Sequence, residues 1–105
     1  MLTASRPGRD ALMNADERAQ LQRLPDTVRI YRGFSRPDGQ TGMSWTTDEP
    51  RARWFARRLT RDGDEPRLAV GDVDRCRIIA YFARRGEREV LALPEHVRVI
   101  AVRDA

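Results

Sequence analysis

Apolar residues recur along this chain with two spacings, and the switches between them mark out the elements. Residues 27–33 read Thr-Val-Arg-Ile-Tyr-Arg-Gly, which puts Val28, Ile30 and Arg32 on one side and Arg29 and Tyr31 on the other, the period of a strand. Upstream, Asn14 with Glu17 three positions later forms a capping-box pattern, predicting a helix over 15–24 that stops where Pro25 disfavours further helical backbone. A second helix is expected from a cap at Thr47 or Asp48 to about residue 59, with Pro50 tolerated in its first turn. Its inner stripe would be Ala52, Phe55, Ala56 and Leu59, leaving Arg51, Arg53, Arg57 and Arg58 largely outside. Short β-type runs are predicted at 43–46, 67–73, 77–82, 87–93 and 97–102, the third and fourth joined by a hairpin-like connection at 83–86. Pro, Gly and Asp mark loops at 35–42 and 60–66. The polar stretch 1–10, with Pro7 and Gly8, reads as a flexible arm, leaving 11–105 as one domain. The order of elements implies an α+β fold with antiparallel sheets.

Composition narrows this picture. The chain has 105 residues, 40% of them hydrophobic, with enough Trp, Phe, Val, Ile and Leu to build one core rather than a disordered chain. There is no apolar run long enough to span a bilayer and no apolar leader-like segment at the start, so a soluble, cytoplasmic location is expected. The single Cys76 allows no internal disulfide, and it supplies no Cys/His set for a metal, so none is expected. His96, the lone histidine, follows Pro94-Glu95 and reads as a turn residue. All 20 cationic side chains are Arg and none is Lys, against 16 acidic residues, for a formal charge of +4. Codon usage of a GC-rich genome is the plain explanation for most of them.

Three short motifs carry candidate chemistry. The first is Tyr31-Arg32-Gly33, where a guanidinium lies on an apolar strand face. Burying such a cation is unfavourable without an anion, and its planar fork suits phosphate or carboxylate. Gly33 would let a ligand approach the backbone. The plainer alternative is an edge Arg reaching out to water. The second is Ser44-Trp45-Thr46, in which two hydroxyls share one strand face and can orient a sugar or a carboxylate. Its alternative is a strand end that leads into a capped helix. In the third, Glu87-Arg88-Glu89-Val90-Leu91, two carboxylates share a face roughly 7 Å apart at the start of an apolar strand. They would stabilise positive charge or orient a nucleophile, or else be solvated acids balanced by Arg84, Arg85 and Arg88.

Taken in order, aromatic-Arg-Gly, Ser-x-Thr before a helix, and Glu-x-Glu-Val-Leu leading toward Pro94 resemble the Arg–Ser–Glu signature of ADP-ribosyltransferases, nearest to the arginine-directed mono-ADP-ribosyltransferases, as a small bacterial or phage-type member. The resemblance covers about residues 28–100, with SWTTDEPRARWFA matching the Ser-motif strand and the helix after it. It implies a split β-sandwich of two small antiparallel sheets with flanking helices around an NAD cleft. It also implies an NAD-dependent transferase of the glycosyltransferase class, with NAD as co-substrate and release of nicotinamide.

By that resemblance Arg32 would hold the NAD pyrophosphate and nearby ribose, and the main chain of Gly33 the nicotinamide carboxamide. Ser44 would position the catalytic carboxylate or the ribose, supported by Thr46. Glu89 would bind the ribose 2′-hydroxyl and stabilise the oxocarbenium-like transition state, and Glu87 would orient an acceptor guanidinium. The favoured acceptor is an arginine of a protein, with this Arg-rich chain itself among the candidates, and no membrane partner is expected.

The chain departs from the family pattern in reading Ser-Trp-Thr where Ser-Thr-Ser is the first choice, and in compressing the segment before Glu87 to about 83–86. The alternatives are an NAD glycohydrolase, an inactive NAD-binding relative, and a basic nucleic-acid-binding module built on the four Arg around Trp54.

Overall fold

The computed structural model describes residues 13–35, 42–60, 64–83 and 88–105. The arm expected at 1–10, most of the hairpin connection at 83–86, and Glu87 lie outside the described residues. The elements are α1 (Ala15–Arg23), β1 (Thr27–Phe34), β2 (Ser44–Thr46), α2 (Glu49–Leu59), β3 (Arg67–Asp74), β4 (Ile78–Phe82), β5 (Glu89–Ala92) and β6 (Arg98–Asp104). Short 3-10 turns at Arg75–Arg77 and Pro94–His96 introduce β4 and β6.

Both helix starts follow the chemistry read from the sequence. Asn14 accepts a hydrogen bond from the Glu17 amide at 2.8 Å, while Glu17 accepts one from the Asn14 amide at 3.1 Å, so two donors of the first turn are satisfied reciprocally. Asp48 caps α2 by accepting from the Arg51 amide at 3.3 Å, with Pro50 in the first turn where a missing N–H does no harm.

The strands form one six-stranded antiparallel sheet in the order β4-β5-β2-β1-β3-β6. This corrects the expectation of two separate small sheets. The physical reason is a junction between β1 and β2, where Tyr31 stands opposite Thr46 as the one registered pair. By contrast β1 and β3 pair along their full length, from Thr27 opposite Asp74 to Phe34 opposite Arg67. Each half of the sheet is well laddered, and the middle is pinched. Within the β1–β3 ladder, Arg29 bonds to Asp72 directly across from it, a cross-strand ion pair that favours this register.

A helix covers each face. Val28, Ile30, Phe34, Trp45, Val90 and Ala92 pack on the α1 side with Met13 and Leu21. Leu68 and Val70 meet Ala52 of α2 on the other. α1 also guards the free edge of β4: the Tyr81 amide donates to the Met13 sulfur at 3.2 Å and the Ala83 amide to Glu17 Oε2 at 2.9 Å. Among the described residues no helix is long and apolar enough to cross a membrane.

The inner stripe of α2 is narrower than expected. Ala52 and Ala56 are buried, whereas Phe55 is 40% exposed. The cause is the partner surface. A Cβ at Gly33 would lie 2.1 Å from the Ala52 carbonyl oxygen and 2.8 Å from the Ala56 nitrogen. Backbone meets backbone there, so only alanines fit between helix and strand, and Phe55 is turned to the side.

Candidate functional site

A cleft of about 370 Å³ opens where β1 and β2 diverge. If their antiparallel register continued beyond Tyr31–Thr46, Gly33 would face Ser44; the chains part instead. Arg32 spans the gap, donating from Nη1 to the Ser44 main-chain carbonyl at 2.8 Å. Its guanidinium lies over Gly42, where a Cβ would come within 2.6 Å of Cζ. Burial pushes the Arg32 guanidinium below its ordinary pKa, because the charged form has lost part of its water. An anion entering the cleft would therefore interact with it more strongly than with an Arg in bulk solvent.

Glu89 reaches the same cleft from the start of β5. It lies opposite Thr46 in the β2–β5 ladder, and its diagonal neighbour Ser44 donates from Oγ to Glu89 Oε2. That contact holds one carboxylate oxygen in place. Among the described residues Glu89 has no other hydrogen-bond partner, so its second oxygen remains able to accept from a hydroxyl.

The turn into Glu89 is made by Arg88, whose backbone sits at φ 50, a region that side-chain-bearing residues avoid. Two bonds hold it: its carbonyl accepts from Thr46 Oγ1 at 3.0 Å and from the Thr47 amide at 3.1 Å. Thr46 Oγ1 also accepts from the Asp48 amide at 3.1 Å. The Thr46 hydroxyl thus braces the Arg88 turn and the start of α2.

Of the six site residues read from the sequence, five line one cleft: Arg32, Gly33, Ser44, Thr46 and Glu89. The sixth, Glu87, lies outside the described residues. Gly33 borders the cleft, and the space its missing side chain leaves is filled by the α2 backbone, so close helix packing is its first role. Sequence reasoning missed Tyr31, Trp45, Arg51, Ala52 and Phe55 as cleft residues. Arg51 and Phe55 are one turn apart on α2, and that spacing was the available signal for a shared position.

Among the described residues no group of three His, Cys, Asp or Glu side chains is placed to hold a metal. Cys76 is exposed, and His96 Nε2 lies 2.8 Å from Arg77 Nη1 at the surface, both away from the cleft. Comparison with protein-family models, with curated proteins and with solved structures finds no match to this chain.

Proposed function

We propose that the chain is an NAD-dependent ADP-ribosyltransferase that uses the Arg32–Ser44–Glu89 cleft. The observation that carries this reading is the convergence of three residues from three strands, with the Ser44 hydroxyl bonded to the Glu89 carboxylate and the Arg32 guanidinium fixed on the Ser44 carbonyl. The residues present fit a dinucleotide's reactive end. The cleft volume of about 370 Å³ falls in the range of small-molecule sites, roughly 300–1,000 Å³. Its lining includes Arg32 and Arg51, whose side chains suit phosphate, and Glu89, which supplies a carboxylate.

NAD supplies a ribose already bonded to a good leaving group, so the chain's task is charge placement. As the bond from ribose C1′ to the nicotinamide nitrogen breaks, its electron pair leaves with neutral nicotinamide. Positive charge then develops on the ribose. Glu89 stabilises that charge and accepts from the 2′-hydroxyl with the oxygen that Ser44 does not use. Arg32 binds the pyrophosphate. The acceptor bonds to C1′ and gives up a proton. An arginine acceptor, the choice the sequence resemblance favours, would be oriented by Glu87; water in its place would make the same cleft an NAD glycohydrolase.

The test is incubation with NAD and chromatography of the products. Wild-type protein releases nicotinamide, and Glu89→Ala loses both hydrolysis and transfer. Near-normal turnover in that variant would remove the basis for the assignment.

A further inference from the structure

The outer face of α2 carries an ordered arrangement of which only the Arg51 and Phe55 end belongs to the cleft. Arg51, Trp54, Phe55 and Arg58 stand at i, i+3, i+4 and i+7 and form one stripe. Trp54 and Phe55 meet edge to face with centroids 5.1 Å apart. The Arg51 guanidinium lies 5.5 Å from the Phe55 ring centroid and that of Arg58 5.1 Å from the Trp54 centroid. Both rings face solvent, Trp54 at 51% exposure. A Trp on an exposed helix face is an unfavourable use of apolar area unless something covers it.

Among the described residues the charges beside these rings, Arg51 and Arg58, have no carboxylate partner. Glu49, the acid of this helix, is taken up by Arg53 at 2.8 Å. Among the described residues no carboxylate lies within ion-pair distance of Arg51, Arg57 or Arg58. The stripe therefore sets two adjacent rings between two cations, with no anion among the described residues, a surface that offers stacking to bases and charge to phosphates. One end reaches the cleft, since Arg51 and Phe55 also line it.

We infer that the Arg51–Trp54–Phe55–Arg58 face of α2 binds single-stranded nucleic acid, stacking bases on Trp54 and Phe55 and pairing phosphates with Arg51, Arg57 and Arg58. Sequence preference would be slight, because every base has a π face and the Arg side chains read the backbone. The bound strand would pass the mouth of the cleft. This binding shares Arg51 with the cleft but does not require the NAD reaction.

The test is a titration of a fluorescein-labelled 15-mer of thymidine against the full chain, read by anisotropy and by quenching of Trp54, with salt varied. Trp54→Ala should weaken binding at least about tenfold, the effect of losing one stacked base. Arg57→Ala with Arg58→Ala should reduce the salt slope by about 1.4, two phosphate contacts of a single strand. Because Trp54 is exposed and outside the cleft lining, its variant should keep the wild-type melting temperature and NAD turnover, so failure here leaves the NAD reading untouched. Polyphosphate and polyglutamate serve as polyanions without bases. If either binds as tightly as the oligonucleotide, or if Trp54→Ala binds thymidine 15-mer with unchanged affinity, the proposal is overturned.

Discussion

Replacing Gly33 with Ala tests the packing that shapes the cleft. The added Cβ would stand 2.1 Å from the Ala52 carbonyl oxygen and 2.8 Å from the Ala56 nitrogen. An ordinary carbon–oxygen contact is about 3.3 Å, so the helix must retreat by roughly 1.2 Å. Both obstacles are main-chain atoms, and no rotamer change relieves them. Such a retreat loosens Ala52 from Leu68 and Val70, the small apolar cluster beneath α2. A radial gap of that size forfeits up to about half of each dispersion contact, and overpacking typically costs 1–3 kcal/mol, so a loss of about 3 kcal/mol is expected. At roughly 4–8 °C per kcal/mol for a domain near this size, the melting temperature should fall by at least about 12 °C. Thermal melts and urea titrations followed by circular dichroism measure both quantities. A fall of less than about 2 °C would refute the close helix–strand contact and with it the account of why Phe55 is turned outward.

Four further outcomes follow from the same contacts. Gly42→Ala pushes on the Arg32 guanidinium, a flexible tip, rather than on backbone; stability should change by less than about 0.5 kcal/mol while NAD affinity by calorimetry falls. Arg32→Ala should weaken NAD binding outright, and an unchanged affinity would place the ligand elsewhere. Thr46→Val removes the hydroxyl that joins the Asp48 amide to the Arg88 carbonyl, which should cost about 1–3 kcal/mol in urea melts. Glu17, 1% exposed, holds the Ala83 amide at the edge of β4; Glu17→Ala should speed hydrogen exchange at Ala83 well before global unfolding.

Local features of this fold were legible in the sequence because local chemistry causes them. The Asn14–Glu17 box, the Asp48 cap, the alternation of Val28 and Ile30 and the position of Arg32 depend on neighbours within one turn or one strand. The candidate site was legible as three motifs in order, five of whose residues share one cleft. What could not be read was set by distant pairing. The insertion of β5 between β4 and β2, which brings Glu89 beside Ser44, has no local signature. The left-handed turn at Arg88 was hidden because it depends on two bonds from Thr46 and Thr47, some forty residues upstream. The capping role of Glu17 is local, whereas its second bond, to Ala83, requires the sheet edge to be in place. Phe55 falls on the inner stripe of a helical wheel, which records no distance to Gly33.

In the proposed reaction Glu89, held by Ser44, supports departure of nicotinamide. The decisive measurement is the rate of nicotinamide release from NAD for wild type and Glu89→Gln, with melting temperatures measured alongside. The amide keeps the shape and can still accept from Ser44, so folding should be unchanged while the negative charge is lost. Release should fall by about a hundredfold or more, the usual effect of removing one group aimed at developing charge. Equal rates in the two proteins, with both folded, would contradict the account.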